Sequence, residues 1–214
     1  GKGKNIDELI SHGKYAGDAR FQGGANAGHT VVIGDQTYVF HLLPSGILHD
    51  HKGIVNVLGN GMVIDLGVLI NEMDTLHRAG FTYNNLYIST DAHVILPWHV
   101  QRDEATNKSQ AQGGIGSTVR GIGPCYEDKM GRRGVTIGDL FDQDVLAQKL
   151  EKLKTRYIDC LLSSEEVMHN VRVYAERIRP FVRNTVAEVH QALRQGKRMV
   201  LEGAQGLLLS IEHG

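Results

Sequence analysis

Between Gln22 and Thr30 the chain reads Gln-Gly-Gly-Ala-Asn-Ala-Gly-His-Thr, three glycines within six residues around an amide (Asn26), an imidazole (His29) and a hydroxyl (Thr30). Glycine lets a backbone approach a ligand closely and adopt positive φ, at an entropic cost. A loop so rich in glycine and hydrogen-bonding groups suits binding better than mere connection. His29, with an ordinary pKa of about 6.5, can serve as a general acid near neutrality; the same ring can equally bond a backbone carbonyl and serve structure. Asn26 can read a base edge or a phosphate, or simply make a turn.

Three further stretches carry chemistry. Gly1-Lys2-Gly3-Lys4 has the form of the tail of a P-loop, whose lysine lies beside phosphates, although Asn5 stands where that motif has Ser or Thr. Gly113 to Gly134 supplies Ser117, Thr118, Arg120, Lys129, Arg132 and Arg133 on a glycine-dense backbone, a set suited to phosphate or carboxylate, since arginine binds such groups bidentately. Glu202-Gly-Ala-Gln-Gly206 presents Gln205, which both donates and accepts and fits a purine edge or a ribose.

These groups need elements to position them. Lys4 to Gly13 reads as a short helix with Ile6, Leu9 and Ile10 on one face, so the basic start of the chain lies at a helix N-terminus, where an anion is favoured. Tyr15 to Gln22 reads as a strand that Gly17-Asp18 interrupts. Thr30–Ile33 and Thr37–His41 flank Gly34-Asp35-Gln36 as a β-hairpin. Ile54–Leu58 is expected to be a buried strand ending in a turn at Gly59-Asn60-Gly61, with Met62–Ile64 beyond it. Leu66, Leu69, Ile70, Met73 and Leu76 recur at helical spacing, stopped by Gly80. Leu86–Ser89 and Ala92–Leu96 are short strands, and the chain from Trp98 is amphipathic before it turns polar at Asp103.

Gly113 to Gly138 is expected to be loop. Val145 to Leu162 reads as helix with Leu146, Leu150, Leu153 and Tyr157 on one face. Ser163-Ser-Glu-Glu166 is a capping box for a helix through Val167, Val171, Tyr174 and Ile178, kinked at Pro180 and resuming through Val182, Val186, Val189 and Leu193 to Gly196. Arg198–Glu202 is a strand. Strands alternating with helices give an α/β class with a mixed, largely parallel central sheet flanked by helices, and such sheets bind ligands in the loops that follow their strands.

The bulk numbers exclude other classes. At 214 residues, 41% hydrophobic and 22% charged, the chain is an ordinary globular composition with a real core. A formal net charge of −1 provides no basic field for nucleic acid or an anionic membrane. Cys125 and Cys160 are too few for a disulfide framework, which favours a reducing, cytoplasmic setting. No apolar run is long enough to span a bilayer. The start at Gly1-Lys2-Gly3-Lys4 and the end just past a strand exit lead us to expect a piece of a longer protein.

Taken together the motifs resemble the adenylosuccinate synthetase family. The matching stretches are Gly1–Lys4, Phe21–Thr30, His41–Ile47, Gly59–Gly61, Arg120–Lys129, Arg132–Gly134, Gly138–Leu140 and Leu201–Gly206, in the family's order. The resemblance covers the whole chain but only about the first half of a family member. It implies a P-loop-NTPase-like fold, a single incomplete nucleotide-binding domain, and GTP-dependent ligation of aspartate to IMP through a 6-phosphoryl intermediate, with Mg²⁺. It makes His29 and Lys2 catalytic, and gives Gly1, Lys2, Gly3, Lys4, Gly28, His29 and Thr30 to GTP. Gly1, Lys2, Asn26, Ala27, Gly28, His29, Thr118 and Gln205 would hold IMP. Arg132 would reach the IMP of a neighbouring subunit in a homodimer, and the Gly28 carbonyl would bind the metal.

The chain departs from the family in several places. The acidic Gly-Asp-Glu that precedes Gly1 in the family, with its base, is not in this sequence, nor are the guanine- and aspartate-binding segments that follow Gly214. Ser117, Val119, Leu207, Ser210 and Glu212 differ from the usual residues, and Gly17-Asp18 lengthens an otherwise apolar strand. The implied expectation is that this piece alone is inactive, and the alternative is a non-catalytic nucleotide-binding or dimerisation module.

Overall fold

The computed structural model describes residues 2–26, 28–33, 36–109 and 118–205. The elements run, in chain order, α1 (Lys2–Ser11), β1 (Gly17–Gly23), β2 (His29–Ile33), β3 (Gln36–Phe40), β4 (Val55–Ile64), α2 (Leu66–Arg78), β5 (Leu86–Ser89) and β6 (His93–Val94). Then follow α3 (Pro97–Ser109), α4 (Ile122–Met130), α5 (Gln143–Lys154), α6 (Ser164–Ile178), β7 (Val182–Arg183), α7 (Thr185–Arg194) and β8 (Met199–Glu202), with 3₁₀ turns at Ser45–Lys52, Gly138–Phe141 and Arg179–Phe181.

The main sheet has the order β7-β5-β4-β1-β8, with β6 continuing against the far end of β4. Every pairing in it is parallel. Antiparallel pairing occurs in the separate β2–β3 hairpin, where His29 faces Phe40 in register, and in an isolated bridge from His93 to Thr136; the hairpin's turn residues Gly34 and Asp35 lie outside the described residues. The expected α/β class with a largely parallel sheet is what the fold shows.

The core fills one face of the sheet. Leu58, Met62 and Ile64 of β4 and Leu86 and Ile88 of β5 pack with Leu69, Met73 and Leu76 of α2, Leu146, Leu150 and Leu153 of α5 and Val167 and Val171 of α6. Helix α7 covers the other face, near Val55 and Tyr87. Helix α1 adds a smaller cluster of Ile6, Ile10, Ile54 and Val200, while Leu9, expected on the same face, is exposed. Asp65 caps α2 and Ser163–Glu166 closes a capping box on α6 as expected.

Four sequence expectations are corrected. Gly59-Asn60-Gly61 is not a turn: β4 runs unbroken through it. The glycines serve close approach instead, since a Cβ at Gly61 would lie 2.1 Å from the Phe21 carbonyl oxygen, and the β1–β4 register slips there between Arg20 and Gln22. Gly113 to Gly138 is not all loop, for α4 forms within it. Pro124 sits in the first helical turn, where its missing N–H costs nothing, and the Cys125 N–H already donates to the Gly121 carbonyl at 3.1 Å. The long second helix is likewise two units. After Pro180, Val182 pairs with Ile88 as β7, and Asn184 caps a new helix by accepting the Ala187 N–H at 3.1 Å. In the same way α5 stops at Lys154, and buried Tyr157 lies in the turn beyond it, stacked on Trp98.

Candidate active site

Parallel strands β4, β1 and β8 deliver their C-terminal ends to one edge of the sheet, and the glycine-bearing loops begin there. β1 leads into Gly23–Asn26, and β8 leads into Gly203–Gln205. Gly23, at φ +87°, has no room for a side chain, because a Cβ would meet the Ala204 Cβ at 2.2 Å and the Gln205 Oε1 at 3.4 Å. Glycine is what lets the two loops touch. The Gly23 N–H donates to the Tyr126 hydroxyl at 2.7 Å, and that hydroxyl donates on to the Gly61 carbonyl at 2.8 Å. An Arg120 N–H donates to the Ala25 carbonyl at 2.7 Å. Three segments far apart in sequence are thereby joined: 23–26, 120–126 and 203–205. Within them the Asn26 Oδ1 is buried and accepts no hydrogen bond among the described residues, an unmet acceptor that fits a ligand donor.

His29, at the start of β2, is buried. Its Nε2 lies 3.6 Å from Oε1 of Glu202, the last residue of β8, and its ring tilts against Phe40 at 5.9 Å. Below it lies a buried ionic cluster that sequence reasoning missed. Asp18 and Arg20 share the core-facing side of β1, and Arg20 pairs in register with Glu202; all three are fully buried. An Arg20 N–H donates to the His41 carbonyl. Burial pulls Arg20 below the usual guanidinium range, opposed by Glu202, Glu72 and Asp18. Burial, then the Glu202 carboxyl beside it, push Asp18 well above the usual carboxylate range, against the Gly46 N–H that it accepts.

The cluster has a clear structural task. Residues 41–46 connect β3 to the 3₁₀ turn that follows, and Pro44 has no N–H. Each of the other five N–H groups donates to a buried carboxylate. Glu72 takes His41 at 2.6 Å, Leu42 at 3.1 Å and Leu43 at 3.0 Å. Glu202 takes Ser45 at 2.9 Å, and Asp18 takes Gly46 at 2.9 Å. Charge-assisted bonds of this kind are stronger than neutral ones. The signal was present in the sequence: Glu72 falls on the apolar face of α2, and Asp18 and Arg20 fall inside a buried strand.

The basic stretch resolves into separate jobs. Lys129 Nζ donates to the Asn60 carbonyl at 2.7 Å, and Arg133 Nε donates to Asp128 at 3.0 Å. Asp128 is fully buried and also takes the Tyr157 hydroxyl at 2.7 Å and the His99 Nε2 at 3.3 Å. His99 Nδ1 accepts the Leu96 N–H at 2.9 Å, which leaves the ring hydrogen on Nε2. Burial opposes ionisation of Asp128, but the bonds from His99, Tyr157 and Arg133 outweigh it and hold the group at about 2. Arg132 differs: it is exposed, at φ +56° on the turn after α4, and engages no carboxylate among the described residues.

Lys2 and Lys4 fall in the first turn of α1, which packs against β2. Gly28, Thr30 and Thr118 are exposed near the same loops. Gly1, Ala27 and Ser117, like the substitutions at Leu207, Ser210 and Glu212, lie outside the described residues. Among the described residues no group of three or more His, Cys, Asp or Glu side chains could hold a metal ion, and no helix is long and apolar enough to cross a membrane.

A family model for adenylosuccinate synthetase matches residues 1–214. Adenylosuccinate synthetase of Syntrophobacter fumaroxidans is 45% identical over 224 aligned residues, and that of Clostridium perfringens 43% over 223; each alignment covers 100% of this chain and 51% of the relative. The solved structure of fully ligated adenylosuccinate synthetase from Plasmodium falciparum superposes with a TM-score of 0.88 at 32% identity, over 100% of this chain and 50% of that one. The chain thus spans about half the length of the curated relatives that it matches. With a fold, a set of loops and a sequence that all agree, the chain belongs to the adenylosuccinate synthetase family.

Proposed function

We propose that the full-length protein carrying this segment joins aspartate to IMP at the expense of GTP, and that residues 1–214 are one incomplete nucleotide-binding domain of it. The observation that carries the reading is the meeting of segments 23–26, 120–126 and 203–205 at the C-terminal edge of a parallel sheet, where such sheets take ligands. Transfer of a phosphoryl group to the purine oxygen, followed by displacement by the aspartate amine, demands chiefly positioning and stabilisation of spreading negative charge.

His29 is the general acid at that centre. Lys2, with Lys4 in the same helical turn, brings positive charge to the phosphates at the N-terminus of α1, where the dipole reinforces it. Gly1, Gly3, Gly28 and Thr30 complete the GTP contacts. Asn26, Gln205, Thr118 and Ala27 hold IMP, and the buried, unmet Asn26 Oδ1 is suited to a donor on the purine or ribose. Mg²⁺ is a hard cation that takes few ligands from protein and the rest from phosphate and water. The lack of a side-chain cage among the described residues fits that habit, with the Gly28 carbonyl as the protein's contribution. When bound, the ion neutralises phosphate charge as the phosphoryl group moves. Arg132 serves the IMP phosphate of a neighbouring subunit.

His29→Ala in the full-length protein tests the reading. We expect kcat to fall by roughly 10²–10⁴, with IMP still bound in calorimetry. An unchanged kcat would remove His29 from the mechanism.

A further inference from the structure

Glu202 is the last residue of β8, three positions before Gln205, and its side chain is fully buried. Two contacts fix where it points. Oε2 accepts the Ser45 N–H at 2.9 Å, and the Asp18 carboxyl lies hydrogen-bonded against it on the neighbouring strand. Oε1 accepts no hydrogen bond among the described residues, and the imidazole Nε2 of His29 stands 3.6 Å from it. A buried carboxylate oxygen without a donor is costly. It is retained here beside the His29 ring. Phe40 blocks one flank of that ring at 5.9 Å, so ring and carboxylate are held by separate parts of the fold.

We infer that Glu202 is a positioning residue for His29. Its carboxylate selects the ring orientation and draws the Nε2 hydrogen to itself, so that Nδ1 is presented to the loops at the sheet edge and can give up its proton when the ring carries both hydrogens. It acts through His29 and not on the substrate, in the manner of the third group that orients a catalytic base or acid. Ser45 belongs to this arrangement, because the carboxylate that turns the imidazole also anchors the 41–46 connection. The inference rests on the reading of His29 as the acid of the site.

Glu202→Gln in the full-length protein is the direct test. Glutamine keeps an oxygen for the Ser45 N–H and removes the charge facing the ring. We expect kcat to drop about 10- to 100-fold, the size usual for an orienting partner, while KM for IMP and for GTP each changes less than about threefold. In protein labelled with ring-¹⁵N histidine, the His29 resonances, assigned by their loss in His29→Ala, should show hydrogen on Nε2 in the wild type and should move in Glu202→Gln. The wild-type spectrum needs no variant to fold: a ring with its hydrogen on Nδ1 alone overturns the proposal. So does a wild-type kcat in Glu202→Gln, or a rise in both KM values with the ring signals unmoved, which marks a purely structural part. If His29→Ala keeps full turnover, the acid role is lost, and the ring spectrum still decides whether Glu202 orients the imidazole.

Discussion

At the scale of single residues, Asp18 is the unusual feature. A carboxyl on the core-facing side of β1 lies against a second carboxyl, Glu202, and both remain tied to N–H groups of one connection. Two such groups in contact share a proton more readily than they both ionise. The folded protein therefore binds that proton more tightly than the unfolded chain does. The resulting stabilisation is complete below the ordinary aspartate range and is lost as pH rises through the elevated value of Asp18. Asp18→Asn keeps an acceptor for Gly46 and offers Glu202 a permanent donor. Its melting temperature should gain on the wild type steadily between pH 4 and pH 7, followed by calorimetry or circular dichroism, and parallel curves would show that Asp18 carries no extra proton. The sequence flagged Asp18 only as an interruption, because an acid in a strand is read as a defect until its partners are known. Those partners lie 28 residues away at Gly46 and on β8, out of reach of any local pattern.

At the scale of elements, the legible parts were those whose signal is local. The apolar spacing of α2, the capping box of α6 and the His29–Phe40 hairpin needed only neighbours in sequence. The misread parts were governed by distant packing. Gly59-Asn60-Gly61 has the composition of a turn but is pressed straight by β1, and the glycine-dense run after Arg120 becomes α4 because Tyr126 and Lys129 reach β4. Asp128 shows how such an element is held. It collects His99, Tyr157 and Arg133, and its main-chain carbonyl takes the N–H groups of Arg133 and Gly134 at 3.0 and 3.2 Å. The turn that displays Arg132 is built on it. Asp128→Ala should cost about 3–5 kcal/mol in urea unfolding, as expected for removing one partner of a buried ionic group. Because Asp128 is held at about 2 in the fold, its contribution is present above the ordinary aspartate value and fades as pH falls from about 4 towards 2. A loss below 1 kcal/mol at pH 7 would show that the cluster is not held by its acid.

At the scale of the whole molecule, Arg132 is exposed and engages no carboxylate among the described residues, while Arg120, Lys129 and Arg133 are engaged at home. That division agrees with the proposal that Arg132 serves a second subunit. In the full-length protein Arg132→Leu should raise KM for IMP tenfold or more with a smaller change in kcat. Mixing it with an inactive His29→Ala protein should restore activity, since each hybrid dimer then holds one site with both groups intact. No recovery on mixing would place Arg132 in its own subunit's site or in none. The sequence supplied the loops and their cations, but not which cation was spent on a carbonyl, because that depends on where the ends of β4 and α4 meet.

The connection at residues 41–46 has a temporal side. Its N–H groups are answered by acids at positions 18, 72 and 202, and the acceptor for Ser45 lies 157 residues further along the chain. During synthesis the hairpin bearing His29 and the acids at 18 and 72 are complete long before Glu202 leaves the ribosome, and until then the Ser45 N–H has only water to bond. Closing so long a span comes late in folding. The imidazole of His29 therefore meets the carboxylate beside it only when nearly all of this segment has been made.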